Sequence, residues 1–473
     1  MSKQHLGVIG LGVMGSNLAL NAESKGFSAA GFDVKQEKVS QFEAMTRGKK
    51  LTASRDLKDF VASLETPRRI LVMVPAGAPV DSVLRDLRPF LSRDDIVIDG
   101  GNSYFKDTER RGKELGQAGL SFFGMGVSGG EEGALHGPSL MPGGREDSYR
   151  HLEAVLTRMA AQTDDGPCCT YLGPGGAGHY TKMVHNGIEY GIMQAICESY
   201  DLLKTALGLA EPELRDIFAA WNEGELNSFL VEITALVLGK IDPETNKPLV
   251  DLILDEAEQK GTGKWTAQDS LDLGAAVPTL AAAVYARILS AQKEERVAAS
   301  SVLNGPQAKS TGDKTALIDR TRQALHLTMI ACYAQGFAQL RVASADYHYS
   351  LEMPEIARIW KGGCIIRSKM LDPIAAAFRS NPQLKNLMVD PYFAGLVNSR
   401  AGSLRETAKL AIDSGVSTPV TSSALAYLDG YRQKRLPANL LQALRDCFGA
   451  HTYRRTDKEG TFHTEWTKKE SDK

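Results

Sequence analysis

Lys182, His185, Asn186, Glu189 and Tyr190 recur at helical spacing in one short stretch of this chain. Positions i, i+3, i+4, i+7 and i+8 share a helix face, so an amine, an imidazole, an amide, a carboxylate and a phenol would line one surface. Such a set pairs a candidate proton acceptor with a candidate proton donor, as general acid–base catalysis requires. Met183, Val184 and Ile188 lie between them and are apolar. A polar stripe also suits a solvated helix face. The neighbours His179-Tyr180 and Ile192-Met193 are not those of an exposed helix, and His, Asn and Tyr are unusual surface choices. From the stripe alone the two readings stand side by side.

Three glycine-rich segments add to it. Gly10-Leu11-Gly12-Val13-Met14-Gly15 is a G-x-G-x-x-G between a strand-like run and a helix-like one. The first glycine permits a tight turn, the second lets backbone approach a pyrophosphate, and the third lets helix and strand pack closely. The free amides of the helix start then face the phosphates. Asp33, at the end of the second strand, suits the two free hydroxyls of an adenosine ribose and would repel a 2′-phosphate. Val34 brings no charge, although Lys35 follows, so the residues favour NAD over NADP. Asp99-Gly-Gly-Asn102-Ser103 and Gly124-Met-Gly-Val-Ser128-Gly129-Gly130 offer hydroxyls and amides for a carboxylate or phosphate, or are simple turns.

Elements of two kinds must position these residues. Leu6 to Gly10, Ser28 to Asp33, Ile70 to Val74 and Ile96 to Asp99 read as buried strands, with a helix from Val13 to Lys25, which predicts a parallel, doubly wound Rossmann-type sheet. After Gly178 strand signals nearly vanish, and Tyr180 to Leu207, Ala275 to Leu303 and Lys314 to Ala343 read as long helices. Ile217-x-x-x-Trp221-x-x-Gly224 recurs 139 positions later as Ile356-x-x-x-Trp360-x-x-Gly363, each after a Pro-Glu pair, which suggests a duplicated helical unit. The tail after Leu436 is polar, with Phe462 and Trp466 spaced through it as if to dock, a second subunit being the favoured cover. The expected domains are 1–177 (α/β, dinucleotide), 178–435 (all-α, substrate and dimerisation) and 436–473 (tail).

Composition excludes other classes. The 473 residues carry 55 basic and 57 acidic side chains, so nothing points to nucleic acid or an anionic membrane, and any basic cluster must be local and built for a small anion. No apolar signal peptide or membrane span is legible at the start or within the chain. Six scattered cysteines fit neither a metal knuckle nor a disulfide framework, so no metal is expected and a reducing, cytoplasmic setting follows.

Taken together, the chain resembles the 6-phosphogluconate dehydrogenase family, the decarboxylating β-hydroxy acid dehydrogenases of the pentose phosphate pathway. The likeness spans essentially the whole length: Ile98-Asp-Gly-Gly-Asn102, Gly126-Val-Ser-Gly-Gly-Glu-Glu-Gly-Ala134, Met141-Pro-Gly-Gly144, Gly178-His-Tyr-x-Lys182-Met-Val-His-Asn-Gly-Ile-Glu-Tyr190, Lys260-Gly-Thr-Gly-Lys-Trp265, Arg296-Val-Ala-Ala-Ser300, Gly363-Cys-Ile-Ile-Arg367 and Phe448-Gly-Ala-His-Thr-Tyr453. The resemblance implies a homodimer whose tail reaches the partner's active site, with 6-phosphogluconate as substrate. It implies Lys182 as general base and Glu189 as general acid. Substrate-binding positions carry over to Asn102, Ser128, Gly129, Gly130, His185, Asn186, Tyr190, Lys260, Thr262 and Arg287, and Arg445 and His451 match residues lent by the neighbouring subunit. Cofactor positions carry over to the glycine loop, Asp33 to Lys35, Val74, Pro75, Ala76 and Asn102. A lysine acting as base must be neutral, so its pKa is expected to be lowered by desolvation or nearby cations.

The departures cluster around the dinucleotide. The family's common NADP-type form carries Asn-Arg-Ser/Thr in place of Asp33-Val34-Lys35, a lysine in place of Pro75 and an alanine in place of Gly12. All three favour NAD, while NADP is the family's common cofactor. The rival readings are a non-decarboxylating β-hydroxy acid dehydrogenase, which would not need the three phosphate-binding cations Lys260, Arg287 and Arg445, and a dinucleotide-sensing scaffold, which would not need Lys182 and Glu189.

Overall fold

The computed structural model describes residues 3–306 and 312–467. Its N-terminal part is a seven-stranded sheet in the order β3-β2-β1-β4-β5-β6-β7. Strands β1 (Leu6–Ile9), β2 (Ala29–Phe32), β3 (Leu51–Ser54), β4 (Arg69–Val72), β5 (Ile96–Asp99) and β6 (Ser121–Ser128) run parallel. The last strand, β7 (Ser139–Gly143), is antiparallel to β6, so the sheet is not wholly parallel. The link from β6 to β7 is too short for a parallel crossover. Strand β4 also ends at Val72, two residues before the expected end, with Met73 N–H still donating to the Ile9 carbonyl of β1 at 2.7 Å.

Helices α1 (Val13–Ser24), α2 (Gln36–Met45), α3 (Leu57–Ala62), α4 (Ala78–Leu87), α5 (Phe105–Gln117), α6 (Gly130–His136), α7 (Glu146–Tyr149) and α8 (Glu153–Met159) accompany the sheet. Side chains alternate between its faces, as the period of a strand demands. Leu6, Val8, Ile96 and Ile98 join Leu18 and Leu156 in one core. Ile9, Ile70, Val72 and Val97 join Phe60, Leu84 and Leu115 in the other. With both faces covered, only the ends of the strands are open to a ligand.

The second part is helical: α9 (Ala177–Leu207), α10 (Glu211–Glu223), α11 (Phe229–Leu238), α12 (Thr262–Asp272), α13 (Pro278–Ser290), α14 (Lys293–Ser300), α15 (Lys314–Asp346), α16 (Met353–Ile359), α17 (Leu371–Ser380), α18 (Pro391–Ser414), α19 (Pro419–Tyr431) and α20 (Ala438–Gly449). The single helix expected from Ala275 to Leu303 is in fact two. Pro278, with no amide to donate, opens α13, and the Arg296 guanidinium takes the Ser290 carbonyl where a helical amide would have been. The suggested duplication has a structural counterpart. Trp221, in the last turn of α10, and Trp360, the C-cap of α16, are both buried, and Pro212 and Pro354 stand in the first turns of those helices. The segments that follow pair antiparallel: Phe229 N–H donates to Arg367 and Lys369 N–H to Asn227, each at 3.0 Å. Near-equivalent positions of two copies meeting this way is what a local two-fold relation produces.

The chain divides into two compact units, one ending at Ala424 and the other beginning at Leu425. In the second, the hairpin of β8 (Tyr453–Arg454) and β9 (Thr461–Phe462) is tied to α20 by Asp446, which accepts from the amides of Thr452 and Thr464 and from Trp466 Nε1. Among the described residues no helix is long and apolar enough to cross a membrane, and no cluster of His, Cys, Asp and Glu suits a metal ion. The six cysteines are free.

Candidate active site

The glycine loop bends as its spacing predicts. Gly10 has φ of 96°, and a Cβ there would meet the Met73 carbonyl at 2.4 Å. A Cβ on Gly15 would lie 1.9 Å from the Gly10 carbonyl, so the third glycine sets the helix against the strand. At Gly12 the space is open, the nearest atom being Lys38 Nζ at 3.9 Å. The start of α1 carries no acidic residue and no side-chain cap, so its amides are free for an anion. Leu11 completes the loop, and Val13 and Met14 open α1. The residues present fit a dinucleotide pyrophosphate.

Asp33 sits buried at the end of β2. Its carboxylate accepts from the amides of Leu11 (2.8 Å) and Lys35 (2.9 Å), which fixes its position beside the loop. Val34 is 78% exposed, and Pro75 and Ala76 are exposed on the turn after Val74, between β4 and α4. Lys38, on α2, lies 3.9 Å from the Asp33 carboxylate. Sequence reasoning missed this cation, although its place five residues after Asp33 and inside a helix puts it within reach.

Helix α9 carries the polar stripe, and two glycines bury it. A Cβ on Gly178 would stand 2.2 Å from the carbonyls of Gly124 and Met141, and one on Gly126 would stand 2.4 Å from Lys182 Cβ. The helix therefore lies directly on β6 and β7. Lys182, His185, Asn186 and Tyr190 are each less than a tenth exposed. Ser128 Oγ lies 3.4 Å from His185 Nε2, and His185 Nδ1 lies 3.1 Å from Asn186 Oδ1 and 3.7 Å from Glu189 Oε2. A proton on Nδ1 satisfies both sides. Asn186 Nδ2 donates to Thr262 Oγ1 at 3.0 Å, and the Arg287 guanidinium stacks 3.5 Å above the Tyr190 ring. Ser128, Lys182, His185, Asn186, Glu189, Tyr190, Thr262 and Arg287 thus form one cluster.

Burial dominates its electrostatics. It pulls the Lys182 amine below its ordinary value, against the pull of Glu189, and pushes the Glu189 carboxyl up, against Lys182 and Arg287. It also holds His185 well below the usual imidazole range, helped by Lys182. Desolvation, of the two causes expected for Lys182, is the one at work. An amine and a carboxyl on one helix face are both driven toward their neutral forms, which makes one a proton acceptor and the other a proton donor.

Residues 5–173 match the model of the NAD binding domain of 6-phosphogluconate dehydrogenase, and residues 178–466 that of its C-terminal domain. The NADP(+)-dependent, decarboxylating 6-phosphogluconate dehydrogenase of Bacillus subtilis is 55% identical over 99% of this chain and 100% of its own. The decarboxylating enzyme of Escherichia coli is 53% identical over 98% of this chain and all of its own. A solved 6-phosphogluconate dehydrogenase of Plasmodium falciparum superposes with a TM-score of 0.95 at 41% identity, covering 98% of this chain and 100% of that one. The chain belongs to the 6-phosphogluconate dehydrogenase family.

Gly129 and Gly130 lead from β6 into α6. Asn102 is exposed on the loop after β5, and Lys260 is exposed just before Gly261, the N-cap of α12. Arg445 and His451 belong to the second compact unit. Two residues near the stripe went unread as site residues. Trp360 meets the His185 ring edge-on, centroids 5.4 Å apart, and the Cys364 thiol, pushed up to about 12 by burial, lies near enough to influence Lys182. Their only signal was membership of a repeat and of a long motif. Met193, expected inside, is 37% exposed.

Proposed function

We propose that this protein oxidises and decarboxylates 6-phosphogluconate to ribulose 5-phosphate and CO2, using NAD(P)+ with NAD preferred. The observation that carries the reading is the buried Lys182 and the half-buried Glu189, whose environment favours a neutral amine and a neutral acid on one helix face. The bound dinucleotide supplies the hydride acceptor. Lys182 takes the proton of the C3 hydroxyl as the C3 hydride departs. The ammonium so formed polarises the new carbonyl, and the β-keto acid loses CO2 without a metal. Glu189 then gives its proton to the carbon that carried the carboxylate. Ser128, Gly129, Gly130, Asn102, His185, Asn186 and Thr262 orient the hydroxy acid, and Tyr190, Lys260 and Arg287 take its phosphate, with Arg445 and His451 contributed by a second copy.

A homodimer with an exchanged tail, residues 436–473, is part of this reading. It is supported by exposed apolar side chains on the helical part, among them Leu236, Leu271, Tyr285, Val302 and Leu303, which are more than 70% exposed in a single chain. NAD preference is supported by the fixed, buried carboxylate of Asp33 beside uncharged Val34 and Pro75. Lys38 favours the second reading, NADP, because it brings a cation to that carboxylate. Initial rates with 6-phosphogluconate, titrating each dinucleotide separately and trapping CO2, test the whole. One CO2 per reduced dinucleotide and a higher kcat/KM with NAD are expected. Oxidation without CO2 contradicts the decarboxylation, and an NADP preference contradicts the role given to Asp33.

A further inference from the structure

Arg111, on α5, is 1% exposed and has no part in the chemistry above. A guanidinium is almost never buried without partners, and those of Arg111 lie on two loops of the candidate site. Its Nε and Nη2 make a bidentate pair with Asp81 in the first turn of α4, at 2.8 and 3.0 Å. Nη2 also donates to the Gly77 carbonyl at 3.0 Å, gripping the end of the Val74–Gly77 turn. On the other side, Nη1 lies 3.6 Å from Asp99 Oδ2 and has no hydrogen-bond partner. Asp99 is wholly buried, and its carboxylate accepts from Ser103 Oγ (2.6 Å) and the Gly101 amide (3.0 Å), which shapes the loop that carries Asn102.

The same helix reaches the catalytic one. Thr108 Oγ1 lies 2.7 Å from Nδ1 of His179, one turn before Lys182, and Glu109 accepts from the amide of Gly176, the N-cap of α9, at 2.7 Å. Helix α5 is thereby fixed to the floor of the site, and Arg111 is the one of these residues that spans both loops.

We infer that Arg111 is a positioning residue that sets the distance between the Val74–Gly77 turn and the Asp99–Ser103 loop, and so serves the binding of dinucleotide and hydroxy acid at once. The inference rests on the proposal that these two loops face the two ligands. The planar fork of arginine suits the task, because it can hold a carboxylate bidentately on one side and lean on a second charge at the other. A lysine keeps the charge and loses the span.

The test is calorimetric binding of NAD and of 6-phosphogluconate, each alone, to full-length wild type, Arg111→Lys and Asp81→Asn. Binding needs no turnover, so it separates this inference from the proposed reaction. Arg111→Lys is expected to weaken both ligands by at least about threefold. A purely structural role would lower the melting temperature and the binding-competent fraction, leaving both dissociation constants unchanged. That outcome, or weakening of one ligand only, overturns the inference. Asp81→Asn decides if Arg111→Lys fails to fold, since the half-exposed Asp81 leaves Asp99 its cation. It should weaken NAD by about threefold or more while 6-phosphogluconate stays within about twofold. Unchanged NAD affinity there overturns it equally.

Discussion

Lys182 and Val34 stand on opposite sides of one candidate site in burial, at 5% and 78% exposed. Around Lys182, His185 meets Ser128 of β6, Asn186 meets Thr262 of α12 and Tyr190 meets Arg287 of α13, and reactivity follows from desolvation. Around Val34 the side chains stand in solvent, and only Asp33 is fixed. The buried face cannot change a residue without disturbing its neighbours' protonation. The exposed edge can change charge without repacking anything. The proposed chemistry therefore depends on packing, while the proposed choice of dinucleotide depends on one fixed carboxylate and its exposed neighbours.

Breaking the buried side should give the largest effect. Lys182→Met removes the base and is expected to lower kcat by about a thousandfold or more while 6-phosphogluconate still binds. Titration by calorimetry beside steady-state assay checks both halves. Glu189→Gln removes the acid and should cost about a hundredfold in release of ribulose 5-phosphate, with hydride transfer retained to a greater degree. Rapid-quench analysis separates the two steps, and equal loss of both would remove Glu189 from the acid role. At the dinucleotide edge, Asp33→Asn with Val34→Arg should move the ratio of kcat/KM for NADP over NAD upward by about tenfold or more. The better cofactor's kcat should stay within about threefold. A fall in kcat matching that of the α9 variants would erase the contrast between the two regions.

Much of this division is legible in the residues themselves. Spacing alone put Lys182, His185, Asn186, Glu189 and Tyr190 on one face, and the glycine loop declared its own turn. Strand β3 was not legible, because Leu51 is its one fully buried side chain and Thr52, Ala53 and Ser54 give no apolar rhythm. The reversal of β7 depends on a short connection rather than on any pattern within the strand. Arg111 stands in the charged run Glu109-Arg110-Arg111-Gly112-Lys113-Glu114, which reads as a solvated helix. Only the approach of α4 and β5 makes it interior. Trp360 likewise meets His185 through a contact that no local sequence rule encodes.

The most direct measurement is the pH dependence of kcat/KM for 6-phosphogluconate in wild type and in Lys182→Met. Burial lowers the folded pKa of Lys182 below its ordinary 10.5, and the base acts only when neutral. Activity should therefore rise with pH through that lowered value and fall away below it as the amine takes up a proton. The account predicts an acid limb in the wild type, scanned from about pH 5 to about pH 10, that is absent from the residual activity of the variant. The same limb in both proteins would show that another group titrates there and that Lys182 is not the base.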